Sequence, residues 1–186
     1  MIKNTIILFL LSTVSLYSED KKNSDTFTIE VPKDWTEQKV NKSFTRLRVA
    51  SPERNAFITI SERDSLWRDD KKSITCKDSW DALETLTEKT FKGKFERNDL
   101  TGKTYPIIKT VKKNKIGTEK SIYVDYILVT PSIKIRLKIN FILRNKKWYG
   151  VTQATFFSDQ DMYLKEMNQA VKTFKFKQLN ANKKLH

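Results

Sequence analysis

The segment Ile133-Lys-Ile-Arg-Leu-Lys-Ile-Asn-Phe-Ile-Leu143 alternates apolar and polar side chains along almost its whole length. Its odd-numbered positions are apolar, and its first four even-numbered positions are Lys134, Arg136, Lys138 and Asn140. Successive side chains of a strand point to opposite faces of its sheet, so a slip of one residue would carry these polar groups into the core. The segment therefore predicts a half-buried strand with a fixed register.

Similar segments flank this strand on both sides. Strands are predicted at about residues 120–129 and 147–157, with turns at 130–132 and 145–146. Residues 158–161 then begin a helix whose apolar stripe consists of Tyr163, Met167, Ala170, Val171 and Phe174. We expect this helix to pack on the apolar face of the 133–143 strand.

The first half of the chain follows the same logic. Strands are predicted at 27–31, 44–50 and 56–61, and a helix runs from Asp78 or Ser79 to about Lys92, where Gly93 stops it. A short strand near 94–97, a strand at 105–111 and a basic hairpin loop at 112–118 complete this half. Helices covering antiparallel strands indicate an α+β class. We expect one domain over residues 26–177, with a sheet of about six to seven strands flanked by two main helices.

The N-terminus has the pattern of an export signal. Lys3 precedes a run of about a dozen mostly apolar residues, which is shorter than the roughly 20 residues of a membrane span. Residues 1–18 are therefore predicted to be a signal peptide cleaved near Ser18, with an uncleaved anchor as the alternative. Residues 19–25 are predicted to be a loose mature terminus, and residues 178–186 a polar tail. The expected location is periplasmic or extracellular.

The chain is strongly basic, with 36 Lys and Arg against 22 Asp and Glu and a formal charge of +14. Such a charge favours anionic partners, here an acidic protein, an anionic membrane surface or an acidic glycan, and export makes nucleic acid an unlikely partner. The candidate binding cations form three groups, one on the 133–143 strand and two in predicted loops: Lys134, Arg136 and Lys138; Lys112, Lys113 and Lys115; Arg144, Lys146 and Lys147. A basic surface set only by composition remains an open alternative.

Three short segments resemble the PsbP/Mog1-like superfamily. They are Phe27-Thr-Ile-Glu-Val-Pro-Lys-Asp-Trp35, the Gly turn of Leu100-Thr-Gly-Lys-Thr-Tyr105, and the closing Val171-x-x-Phe174-x-Phe176. The resemblance covers roughly residues 26–177 and implies an antiparallel sheet flanked by helices. Known members mostly act as binding or assembly subunits, one group serving photosystem II and another binding the Ran GTPase. The superfamily has no shared catalytic residues that could be assigned to this chain, and a shared fold does not by itself establish function.

Familiar catalytic patterns are missing from the sequence. The sole histidine is His186 and the sole cysteine is Cys76, which leaves no basis for a Ser-His-Asp site, a His-based metal site or an intrachain disulfide. Gly102-Lys103-Thr104 lacks the earlier glycine of a phosphate-binding loop, since Arg97 stands there. The acidic residues Glu62, Asp64, Asp69 and Asp70 lack the spacing of a calcium loop. No catalytic, cofactor-binding or metal site is predicted.

These patterns favour an exported, non-catalytic binding or assembly protein of the cell envelope that docks an anionic partner through its basic face. A carrier of a small molecule or lipid is the alternative. Its pocket would lie between sheet and helices and be lined by Trp35, Trp80, Phe91, Tyr126 and Phe141. A hydrolase that uses carboxylates alone is a third class.

Overall fold

The computed structural model describes residues 19–24, 26–40, 42–67, 75–96 and 104–178. Within these ranges the strands are β1 (Glu19–Asn23), β2 (Phe27–Pro32), β3 (Thr36–Glu37), β4 (Thr45–Ala50), β5 (Ala56–Arg63), β6 (Tyr105–Ile116), β7 (Glu119–Val129), β8 (Lys134–Arg144), β9 (Lys147–Phe156) and β10 (Lys175–Phe176). The helices are α1 (Ser79–Leu86), α2 (Glu88–Glu96) and α3 (Gln160–Thr173), and a 3-10 turn at Phe157–Asp159 precedes α3.

The strands form one large and one small sheet, and every pairing is antiparallel. The large sheet has seven strands in the order β3-β4-β5-β9-β8-β7-β6, and the small sheet has the order β1-β2-β10. The pairing of β5 with β9 joins the N-terminal hairpin to the C-terminal strands, from Ala56 opposite Thr155 to Arg63 opposite Trp148. The predicted α+β class is confirmed.

Apolar cores cover both faces of the large sheet. On one side, which we call the α3 face, Ile58, Ile142 and Val151 pack with Met167 and Phe174 of the C-terminal segment and with the small sheet. On the opposite side, the α1/α2 face, the core contains these side chains of α1, α2 and the sheet: Leu83, Leu86, Phe91, Val124, Leu143 and Trp148. The protein is therefore built in three layers.

Strand β8 has the predicted period, but its two faces are turned opposite to our expectation. The apolar face, with Ile139 and Leu143, lies on the α1/α2 side, and Arg136 points to the α3 side, where it donates to Gln160. The prediction that the apolar face packs on α3 is wrong. Alternation gives the register of a strand, but it does not tell which helix covers which face when both faces are covered. Ile142, the residue that interrupts the alternation, supplies the contact with the α3 core.

The predicted first helix is two helices. Thr87 has a left-handed backbone (φ 54°) that ends α1, and its Oγ1 accepts a hydrogen bond from the Thr90 N–H at the start of α2. The predicted stop at Gly93 is wrong, and so is the predicted strand over residues 94–96, because α2 runs through Gly93 to Glu96; residue 97 lies outside the described residues. Phe91 is fully buried and Phe95 packs edge-on against Tyr126, with ring centroids 4.4 Å apart. This packing outweighs the cost of about 1 kcal/mol for glycine inside a helix.

Two segments predicted as irregular are strands. The lysines at 112, 113 and 115 lie in β6 rather than in a hairpin loop, and the chain reverses at Gly117, whose positive φ of 57° suits glycine. Residues 19–23 form β1, paired with β2, where a loose terminus was predicted. A tight turn makes this pairing possible, since the Phe27 N–H donates to Ser24 Oγ and the Ser24 N–H to the Phe27 carbonyl.

Candidate functional site

A cleft of about 430 Å³ opens on the α1/α2 face of the large sheet. Its floor comes from β7, β8 and β9, and its walls from the segment after β5 and from Phe95 of α2. The apolar side chains that line it are Leu66, Trp67, Phe95, Pro106, Tyr126, Leu128, Ile139, Phe141 and Trp148. Gly150 lies in the floor, where a Cβ would come within 2.8 Å of Ser61 Oγ.

Polar residues also line this cleft, namely Ser61, Arg63, Ser65, Thr104 and Thr152. Trp148 is 2% exposed, and its buried indole N–H has no hydrogen-bond partner among the described residues. An unpaired buried donor costs about 1–3 kcal/mol, so a structure rarely retains one without a reason. Burial raises the pKa of Tyr126 to about 12. Arg63 stands at the border of the cleft, with its guanidinium 4.3 Å from the centre of the Phe44 ring.

The predicted carrier pocket is only partly this cleft. Tyr126 and Phe141 line it, whereas Phe91 is fully buried in the α1/α2 core. Trp35 is buried on the opposite face of the sheet, and Trp80 donates its indole N–H to backbone carbonyls of β6 and β7. Sequence reasoning missed Trp148. The signal was present in β9, where Trp148, Gly150 and Thr152 share one face and small residues follow the tryptophan.

The candidate basic residues are divided between the two faces of the sheet. Lys113 lies on the α1/α2 face and contacts Glu84 of α1, and Lys115 stands 5.6 Å from the ring centre of Trp80 on the same side. The other strand residues, Lys112, Lys134, Arg136, Lys138, Arg144 and Lys147, lie on the α3 side by strand register. Lys146 lies in the β8–β9 turn. The nine side chains therefore do not form one stripe.

Ion pairs neutralise four of these nine cations. Arg136 pairs with Asp125 at 2.9 Å and Arg144 with Glu119 at 2.7 Å, while Lys113 contacts Glu84 and Lys147 reaches Glu62 at 2.5 Å. Burial raises the pKa of Glu62, but hydrogen bonds from Lys147 and Arg46 outweigh it and leave that pKa below its usual range. Within the described ranges, no ion pair is formed by Lys112, Lys115, Lys134, Lys138 or Lys146.

The lysines of β6 also protect a sheet edge. β6 is the last strand of the large sheet and is 12 residues long. Long free edges promote pairing with other chains, and proteins blunt them with lysines, proline and bulges. β6 has all three, in Lys109, Lys112 and Lys113, in Pro106, and in an irregularity between Ile108 and Thr110. Its basic character therefore has a structural explanation that requires no ligand.

The remaining sequence candidates add no reaction centre. Asp69, Asp70, Gly102, Lys103 and His186 lie outside the described residues. Glu62 is engaged by two cations, and Cys76 is half-buried with its Sγ 4.0 Å from Thr85 Oγ1. In the part of the chain that the structure describes, no group of three or more His, Cys, Asp or Glu side chains is placed to hold a metal ion. No described helix has the length and apolar character of a membrane span.

The fold has counterparts among solved structures. No protein-family model and no curated protein sequence matches the chain. The PsbP (CyanoP) of Synechocystis sp. PCC 6803 aligns over 91% of this chain and 99% of its own, with a TM-score of 0.55 at 8% identity. The chain has a PsbP/Mog1-like fold. LpqN of Mycobacterium tuberculosis, described as involved in cell envelope biogenesis, aligns over 87% of this chain and 91% of its own, with a TM-score of 0.54 at 8% identity. At such identity the likeness concerns the fold alone.

Proposed function

We propose that the protein is an exported, non-catalytic binding protein of the cell envelope that carries a small amphiphile in the cleft beside Trp148. The aromatic and aliphatic lining of this cleft, with the cation Arg63 at its border, is the observation on which the proposal rests. Two features support the envelope location, namely the predicted signal at residues 1–18 and a fold shared with LpqN.

The cleft indicates the class of ligand. Its volume of about 430 Å³ falls within the size range of small-molecule sites, and its lining is mainly aromatic and aliphatic. Among its lining residues, the cationic side chain is Arg63, which is exposed at the border. An apolar body therefore fits against Phe141 and Trp148, and a head that accepts hydrogen bonds fits near Arg63. A medium-chain fatty acid has this chemistry.

Filling the cleft tests the proposal. Thr152 is half-buried and lines the cleft, so Thr152→Phe should occupy the space that a ligand needs. Thr36 is exposed in β3, and Thr36→Phe is the matched control for an added aromatic ring. Titration with dodecanoate, followed by tryptophan fluorescence, should show saturable binding to the wild type and the control, and binding weakened by about tenfold or more in Thr152→Phe.

A second measurement identifies a natural ligand. Protein isolated from the envelope of its own cells should release an amphiphile on organic extraction, and native mass spectrometry should show the matching mass on the intact protein. The carrier proposal is rejected if the wild type neither binds dodecanoate nor retains an extractable molecule. Equal dodecanoate binding by wild type and Thr152→Phe, with unchanged melting temperatures, would place the ligand elsewhere and also reject the cleft as its site.

A further inference from the structure

Buried polar side chains are concentrated on one patch of the α3 face. Among the described residues, the buried polar side chains are Ser51, Ser79, Ser121, Asp125, Asn140, Gln153 and Thr155. The last five of these lie on β7, β8 and β9, and strand register places them side by side on the α3 face. Polar groups in a sheet centre are costly unless fully satisfied, and apolar side chains would pack there at least as stably. None of the side-chain polar atoms of these five residues is both buried and without a hydrogen-bond partner, so each is either paired or open to solvent.

The amide groups of the patch are only partly used by the protein. Asn140 Oδ1 accepts hydrogen bonds from Asn114 Nδ2 at 2.8 Å and from Ser121 Oγ at 3.2 Å. Gln153 Nε2 donates to Asn168 Oδ1 on α3 at 3.1 Å. Within the described residues, Asn140 Nδ2 and Gln153 Oε1 have no protein partner, so the patch retains both a free donor and a free acceptor.

These amides line a second cleft, which we call the amide cleft. It has a volume of about 430 Å³ and lies between α3 and the β6–β9 part of the sheet. Asn140, Gln153 and Tyr123 come from the sheet, and Asn168 and Lys172 come from α3. It is on the opposite face from the cleft beside Trp148, so the two sites are independent.

Two lysines that form no ion pair with a described residue lie at or beside the amide cleft. Lys138 is half-buried next to Gln153 in the sheet, and no described carboxylate lies within 4.0 Å of its ammonium. The nearby acid, Asp125, is held by Arg136 through two hydrogen bonds. Burial, and then the charge of Arg136, lowers the pKa of Lys138, and the charge of Asp125 acts in the opposite direction. Lys172 is exposed on the α3 wall and also forms no ion pair with a described residue.

We propose that the amide cleft binds an acidic saccharide. Carboxamides both donate and accept hydrogen bonds, as a set of sugar hydroxyls requires. Lys172 on the α3 wall of the cleft, and Lys138 opposite Gln153 in the sheet, supply the charge that a sugar carboxylate requires. The composition predicts an anionic partner of unspecified chemistry. With this site, the proposed partner is an acidic saccharide that binds on the α3 face of the sheet.

Calorimetric titration with a hexuronic-acid tetrasaccharide tests the site. The parallel arms are a neutral glucose tetrasaccharide and inorganic phosphate. The variants are Lys138→Met and Lys172→Met, which remove a charge while keeping side-chain length. The matched control is Lys89→Met, an exposed lysine of α2 on the opposite face. We expect each cleft variant to raise the Kd for the acidic tetrasaccharide about tenfold, the value of one charge-assisted hydrogen bond, and the control to leave it unchanged.

The arms separate the possible sources of binding. Weaker binding of the neutral sugar and of phosphate than of the acidic sugar supports the proposal. If phosphate binds as tightly as the acidic sugar, the cleft is a general anion site. If the neutral sugar binds as tightly as the acidic sugar, the lysines have no role in binding. Either result overturns the proposal. Absence of binding, or equal binding by wild type and both cleft variants at unchanged melting temperatures, overturns it as well.

Discussion

Arg136 holds Asp125 through two hydrogen bonds, from Nε to Oδ1 at 3.2 Å and from Nη2 to Oδ2 at 2.9 Å. The two residues lie on neighbouring strands, and Arg136 also donates to Gln160 at the start of α3 at 2.8 Å. The pair therefore connects the sheet to the helix that covers it. Asp125 also lies opposite Lys138 in the sheet, and its charge acts to raise the pKa of Lys138.

Asp125→Ala should lower the free energy of unfolding by about 2 kcal/mol, because Arg136 would lose a charge-assisted partner in a largely buried site. A cycle with Arg136→Met, measured by urea denaturation, should give a coupling energy of about 1 kcal/mol or more, as expected for residues in direct contact. If the loss of stability in the double variant equals the sum of the losses in the two single variants, Asp125 and Arg136 do not form a specific pair.

The same carboxylate influences Tyr123. Burial raises the pKa of Tyr123 to about 12, and the charge of Asp125, which accepts a hydrogen bond from the Tyr123 hydroxyl at 3.4 Å, adds to the rise. Asp125→Asn removes the negative charge, so the pKa of Tyr123 should fall part of the way toward its ordinary value of 10.0. Absorbance titration of the phenolate measures this directly. An unchanged titration curve would mean that burial alone sets the pKa.

Ser79 connects α1 to two strands of the large sheet. It is fully buried, its Oγ donates to the Lys120 carbonyl at 2.9 Å, and the same oxygen accepts from the Leu143 N–H at 2.8 Å. Ser79→Ala leaves both backbone groups unpaired and should destabilise the fold by about 2 kcal/mol. Ser132→Ala, at an exposed turn serine, should change stability by less than about 0.5 kcal/mol. Equal effects of the two changes would rule out this role for Ser79.

How far the sequence could predict this fold depends on the range of each interaction. The β7–β9 hairpins followed from period and turn residues because both signals are local. Which helix packs on which face of β8 could not be predicted in this way, because that packing depends on β2 and α3, which lie far apart in sequence. The sequence pattern predicts that Asn140 faces solvent, whereas in the structure it is 3% exposed and lines the amide cleft. The candidate sites were only partly predictable for the same reason.

Asp78 gives α1 a pH-dependent contribution to stability. It caps the helix by accepting from the N–H groups of Trp80 at 2.8 Å and Asp81 at 3.1 Å, and it pairs with Lys120 at 2.6 Å. Burial raises the pKa of Asp78, but the hydrogen bonds from Lys120 and from these backbone groups outweigh it, so that pKa lies below its ordinary value of 3.8. The charged form is therefore favoured by folding.

Asp78→Asn keeps a capping oxygen but loses the charge, so it should be less stable than the wild type by about 1 kcal/mol at neutral pH. A carboxyl with a lowered folded-state pKa stabilises fully above its unfolded-state value and loses that contribution as pH falls through the folded-state value. The denaturation midpoints of the wild type and of Asp78→Asn should therefore converge as the pH drops below about 3.8. A gap that stays constant with pH would show that the charge of Asp78 contributes nothing.

The β8–β9 turn offers a change that should stabilise the protein. Asn145 and Lys146 both have positive φ values, 51° and 62°, as in the two-residue turns that favour Asn-Gly. A left-handed backbone costs a residue such as lysine roughly 1 kcal/mol, partly offset in glycine by the greater freedom of its unfolded chain. Lys146→Gly should therefore raise the free energy of unfolding by about 0.5 kcal/mol.

Lys146→Met is the matched control for this turn, because it removes the same charge and keeps the strained backbone. Lys146 is exposed and forms no ion pair with a described residue, so the methionine variant should have the same melting temperature as the wild type. If glycine and methionine gave the same stability, the left-handed conformation would not be a cost at this position. Both variants should also bind the acidic tetrasaccharide as tightly as the wild type, since the turn lies outside the amide cleft.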